Sequence, residues 1–246
     1  MKRRTFLGLL AAAWPGAAWA LGEASLIDIV ELDIPGTLSR PGAWTRMLYE
    51  IQRVSSVEVA DEVPRIAPSD TSLFDHPFAV LCGEDAFDPL SDEDVQALTR
   101  YITYGGFLFV DDTSGESGPS GFDDSVRRLL ARMFPTRPLI TLDADHSLYR
   151  AFFFIRSPVG RVDTHGTLEG VRLGQITPIV YGRNDLSGAL EKTSSGRHMH
   201  PVVPGGERQR REAVKLGVNL MLYALTSNYK KDQAHVHALI EDGRFR

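Results

Sequence analysis

Three groups of polar residues stand directly after apolar runs in this chain. Asp111 and Asp112 follow residues 107–110, Asp143, Asp145 and His146 follow residues 139–142, and Asn184 and Asp185 follow residues 176–181. Carboxylates gathered near an imidazole can bind a hard cation or move protons. In an open parallel sheet, ligands bind beyond the carboxyl ends of the strands. If the three runs are neighbouring strands, the groups share one acidic basin. Asp111, Asp112, His146 and Asp185 are then the candidate catalytic residues, with Asp111 or His146 as general base and Arg161 or Asn184 orienting a substrate. Acids at strand ends also cap helices and close turns without doing any chemistry, and no fixed catalytic spacing links these residues.

Other chemistry-bearing residues are weaker signals. Cys82 ends an apolar run, but Val80 and Leu81 precede it where a nucleophile elbow needs small residues. A buried, structural thiol is the expectation. The pairs His198/His200 and His235/His237 could each turn two imidazoles to one side if they lay on strands. Neither lies in a strand-like run, so solvated loop histidines are expected and no metal site is assigned. Arg208 and Arg211 stand near the start of a long helix, after Pro204-Gly205-Gly206. Cations there oppose the helix dipole, which points to an anionic partner: a phosphate, a carboxylate or, preferred, the strand-end acids of this same chain. Arg161, Asn184, Arg208 and Arg211 are the candidate binding residues. No G-x-S-x-G and no phosphate-binding G-x-x-x-x-G-K-[ST] occurs.

These residues need a scaffold, and the apolar spacing outlines one. Runs at 26–34, 78–82, 107–110, 139–142, 151–155 and 176–181 read as strands, several apolar throughout and therefore covered on both faces. Trp44, Met47, Leu48, Ile51 and Val54 recur at helical spacing, as do Val95, Leu98, Tyr101 and Ile102 after an N-cap Ser91. Val126, Leu129, Leu130 and Met133 mark a third helix, and 207–227 a fourth. Residues 113–121, with three glycines and three serines, read as a loop. Strands alternating with helices imply an α/β domain of three layers, with a mainly parallel sheet and helices on both faces.

The chain has 246 residues and a formal net charge of −5. An acid surplus argues against nucleic acid or an anionic membrane as the main partner. Residues 1–20 have the form of an export signal: a basic start, an apolar stretch at 6–13, and Ala18-Trp19-Ala20 as a small-x-small end. Within it, Arg3-Arg4-Thr5-Phe6-Leu7 matches the twin-arginine pattern, so periplasmic or other export by that route is expected. The stretch is too short to remain as a span. Residues 21–246 are expected to form one domain.

Several segments resemble a bacterial family known as domain of unknown function 4159. They are residues 98–112 (LTRYITYGGFLFVDD), Phe134-Pro135, His146-Ser147-Leu148-Tyr149, Asn184-Asp185-Leu186, and Leu216-Gly217-Val218-Asn219 with Tyr223-Ala224 before Asn228-Tyr229-Lys230. The resemblance implies a three-layer fold like that of class I glutamine amidotransferases, flavodoxin-like in outline. It does not imply their activity, because this chain lacks their G-x-C-x-G elbow. The reading that follows is a non-catalytic domain of the bacterial envelope binding a small ligand or a protein. The alternative is a hydrolase or transferase using the Asp/His basin. The sequence names no cofactor.

Overall fold

The computed structural model describes residues 26–55 and 57–241, with side chains described as far as Ser227. The signal-like segment 1–20 lies outside the described residues, as do the side chains of His235 and His237.

Two hexamers fix the centre of the sheet. Phe78–Gly83 (β3) and Phe107–Asp112 (β4) are buried at every position and pair in parallel from Phe78↔Phe107 to Gly83↔Asp112. Val30–Leu32 (β1) and Arg65–Ile66 (β2) extend the sheet on one side. Ile176–Gly182 (β7) pairs in parallel with β4 on the other, and Glu169–Leu173 (β6) and Ile140–Thr141 (β5) follow as antiparallel neighbours. The order is β2-β1-β3-β4-β7-β6-β5. Its five parallel strands have the doubly wound, flavodoxin-like order.

Strand pleating sends alternate residues to opposite faces, and each face has its own core. Phe78, Val80, Cys82, Phe107 and Phe109 pack under Pro41–Val54 (α1), Leu186–Leu190 (α4) and Gly206–Glu241 (α5). Trp44 of α1 meets Phe109 edge-on, with ring centroids 6.1 Å apart. Ala79, Leu81, Leu108, Val110 and Tyr181 pack under Asp92–Thr103 (α2) and Gly121–Met133 (α3). The result is a three-layer α/β fold. Ser91 caps α2 by accepting the Asp94 N–H at 3.0 Å, and Asp92, Glu93 and Asp94 place negative charge in its first turn.

The architecture departs from the sequence expectation in three places. Residues 151–155 form no strand. The Phe152 and Phe153 N–H groups instead donate to Asn219 Oδ1 of α5, at 3.3 and 2.8 Å, and Phe152 and Phe154 stay exposed. β2 and β6 carry charged residues in short ladders and give no apolar run. α5 runs 36 residues rather than ending near 227.

Candidate functional site

The acidic groups do not share a basin. Asp111 and Asp112 end the same strand, so the pleat turns them to opposite faces. On the α4 side, Asp111 is fully buried, and its two oxygens accept the backbone N–H groups of Leu186 (2.9 Å) and Ser187 (2.8 Å). On the α3 side, Asp112 accepts from Ser120 Oγ (2.9 Å), Tyr181 Oη (3.2 Å) and the Ser114 N–H (3.0 Å). Arg183 adds charge on that side, with Nε 4.0 Å from Asp112 and 3.8 Å from Asp123.

Asp185 joins Asp111 but not Asp112. It stands at φ 54, a left-handed conformation that an aspartate tolerates better than most residues, and caps α4 by accepting the Gly188 N–H at 2.8 Å. Its carboxylate also accepts from Arg40 Nη1 at 2.8 Å and from Arg161 Nε. Arg161 therefore neutralises an internal acid. Arg161 Nη2 also reaches the Thr113 carbonyl at 3.3 Å.

Asn184 is committed to the loop beside it. Its Oδ1 accepts the N–H groups of Thr164 (3.0 Å) and His165 (2.9 Å), and its Nδ2 donates to the carbonyls of Pro158 (2.8 Å) and His165 (2.7 Å). A β-carbon on Gly160 would overlap the Asn184 carbonyl, so the loop lies hard against the strand end.

His146 is elsewhere. Its Nε2 lies 3.0 Å from Thr177 Oγ1, and its ring packs beside Tyr223 of α5. Thr177 is near the beginning of β7, whereas Gly182, which pairs with Asp111, ends it. Five strand residues at about 3.3 Å each put the two levels roughly 16 Å apart. The expected Asp112/His146/Asp185 cluster is corrected accordingly: only Asp111 and Asp185 meet. Asp143 and Asp145 are exposed beside His146.

Burial, then the Asp185 carboxylate, pushes the Asp111 carboxyl up to about 7. Desolvation disfavours the ionised form, and a second carboxylate disfavours it further. Burial, then Asp111 and Glu31, holds the Cys82 thiol well above its ordinary value, so Cys82 is a packed, weakly acidic thiol. Burial, then Arg172, lowers His146. Among the described residues, no three histidine, cysteine or acidic side chains gather as a metal would require. His200 Nε2 lies 3.0 Å from Glu191, and the backbone of His198 forms an isolated antiparallel bridge with Lys192.

Backbone pairing continues past the strand ends. The Leu38 N–H donates to the Cys82 carbonyl, the Thr113 N–H to the Gly83 carbonyl, and the Asp185 N–H to the Asp112 carbonyl, at 2.8, 2.8 and 3.1 Å. Open space lies on the helical side. A cleft of about 400 Å³ runs between α1 and α5, bordered by Arg46, Arg53, Arg211 and Lys215. A second, of about 390 Å³, has Lys215 in common with it and Arg156, Arg208 and Phe154 on its rim. Arg208 and Arg211 thus border open clefts, and among the described residues neither has a carboxylate within 4.0 Å. Their expected pairing with the strand-end acids does not occur. Arg40, Arg161 and Arg183 serve those acids.

Sequence reasoning missed Arg40, Arg183, Arg46, Arg53 and Lys215. Arg183 stands next to Asn184 and was within reach. Arg40, 145 residues from Asp185, left no trace in local spacing.

No curated protein matches the chain. The model of one family matches residues 32–225, from the end of β1 into the second half of the described side chains of α5. The chain therefore belongs to the family described as Domain of unknown function (DUF4159).

Proposed function

We propose that the chain is an exported, non-catalytic module of the bacterial envelope that binds a ligand or a protein. One observation carries the non-catalytic part: Asp111, Asp112 and Asp185 are at most 1% exposed, and each spends its oxygens on scaffold donors. A catalytic acid or base must reach a substrate proton directly or through one water. These carboxylates hold helix starts and arginines instead, and His146 stands at another level of the sheet.

Export rests on the twin-arginine pattern of residues 3–7 and the small-x-small end at 18–20. Among the described residues, no helix is long and apolar enough to cross a membrane. Replacing Arg3 and Arg4 by lysine is expected to leave the precursor inside the cell, read by fractionation; unchanged export would overturn that route. The non-catalytic reading is tested by screening amide, ester and glycoside substrates with the chain and with its Asp112→Asn and His146→Ala forms. Equal background rates are expected. Turnover that falls in either variant would replace this reading with the hydrolase or transferase one.

A further inference from the structure

The cleft between α1 and α5 is cationic in a chain whose net charge is negative. Its borders supply five cations, Arg46, Arg53, Arg210, Arg211 and Lys215, against two acids, Glu50 and Glu207. Part of that charge is fixed internally. Glu50 is buried and accepts from both Arg46 and Arg53, while the buried Arg210 donates to Glu207 and to the carbonyls of Ala189 and His200. The rest is not. Arg211 has no ion pair among the described residues, nor do Arg156 and Arg208 on the second cleft, where Glu212 pairs only with Lys215 at 2.8 Å. Like charges held together around open space raise the potential there and favour an anionic guest.

The walls narrow the class of guest. Val54, Leu190, Val214 and Val218 line the first cleft, and Phe154, 66% exposed, borders the second with Val159. A bare inorganic anion would leave those surfaces in water. A guest that alternates charge with apolar side chains would cover them. Length also decides. Arg208 to Val218 spans eleven residues of α5, about 15 Å of helix axis, which matches about five residues of extended peptide. The acid surplus of the rest of the chain disfavours a long uniform polyanion, whose ends would meet like charge.

We propose that the two clefts that share Lys215 form one seat for an acidic peptide segment of a partner protein, its carboxylates alternating with apolar side chains. This inference rests on the binding-module reading above and names the partner's chemistry. In the bound arrangement the carboxylates lie against Arg211 and Arg208, and the apolar side chains lie between α1 and α5 and against Phe154.

The test is fluorescence anisotropy of the purified chain with a labelled heptapeptide in which Asp or Glu alternates with Leu or Phe. Saturable binding is expected, weakened at least tenfold by the Asn/Gln analogue of the peptide, by raised salt, and by either Arg208→Glu or Arg211→Glu. Both arginines are exposed, so an unchanged melting midpoint for each variant confirms that the fold is intact. Absence of binding, equal binding of the neutral peptide, or affinity indifferent to both variants would overturn the proposal. So would displacement of the peptide by inorganic phosphate at matching concentration, which marks a small-anion site. If the peptide fails but crosslinking in envelope extract captures one protein equally with the chain and its Arg211→Glu form, only this inference falls. Turnover in the substrate screen would remove the broader reading itself.

Discussion

Asp111 and Asp112 are adjacent in the chain, yet their carboxylates lie on opposite faces of the sheet. One accepts the N–H groups that open α4, and the other takes the hydroxyls of Ser120 and Tyr181 beside α3. A dyad that looks like paired acids in sequence is two separate fasteners in three dimensions. Each predicts something different.

For Asp111, the folded chain retains a proton that the unfolded chain releases, because burial and Asp185 raise its folded value towards about 7. The stability tied to this group is therefore full below the ordinary carboxylate range and is lost as pH rises towards 7. Urea unfolding at pH 4.5 and 7.5 should show a smaller loss over that interval for Asp111→Asn than for the unaltered chain. Identical losses would contradict the assignment.

Asp185 neutralises Arg40 and Arg161 and caps α4 while fully buried. Asp185→Ala leaves two largely enclosed guanidinium groups short of a counter-charge, and breaking a buried pair in this way costs about 3–5 kcal/mol. Asp185→Asn keeps a cap and a side chain tolerant of positive φ, and is expected to cost less. Denaturant midpoints of the two variants give the ranking.

The α1/α5 contact depends on a missing side chain. A β-carbon at Gly217 would overlap the terminal methyl of Met47. Gly217→Ala is expected to cost less than about 1 kcal/mol, since the flexible end of Met47 can shift and alanine favours the helix interior. Combined with Met47→Ala, it should cost less than the sum of the two single changes, because the truncated residue vacates that space. Additive costs in a double-mutant cycle would mean that the two residues do not meet.

Cys82 is predicted to be chemically silent in the folded chain. It is buried, and its thiol is held well above the ordinary range by burial and by the neighbouring Asp111 and Glu31 carboxylates. An aromatic disulfide reagent at pH 8 should label it only after denaturant is added, at one thiol per chain. Fast labelling in native buffer would refute this.

Much of the scaffold was legible because burial on both faces leaves uninterrupted apolar runs. Residues 78–82 and 107–110 are the clearest, and the three- and four-residue spacing of Trp44, Met47, Leu48 and Ile51 is as plain. β6 was not legible: Glu169 and Arg172 interrupt its pattern, and Arg127 pairs with Glu169 from α3. Residues 151–155 misled in the opposite direction, since Asn219 offers their backbone a side-chain partner in place of a ladder. The site was harder still. Spacing shows that acids follow strands. It does not show which face each one takes, or that Arg40 arrives from the far end of the chain. The cationic clefts were half visible in Arg208 and Arg211, while α1 supplied Arg46 and Arg53 through tertiary packing alone.

The outermost strands have a consequence for how the chain behaves when crowded. β2 and β5 contribute two residues each, so neither border of the sheet offers a run of free backbone donors and acceptors long enough to template another strand. Copies held at high local concentration are expected to resist fibre-like stacking, and recognition is left to side chains on the helical layer.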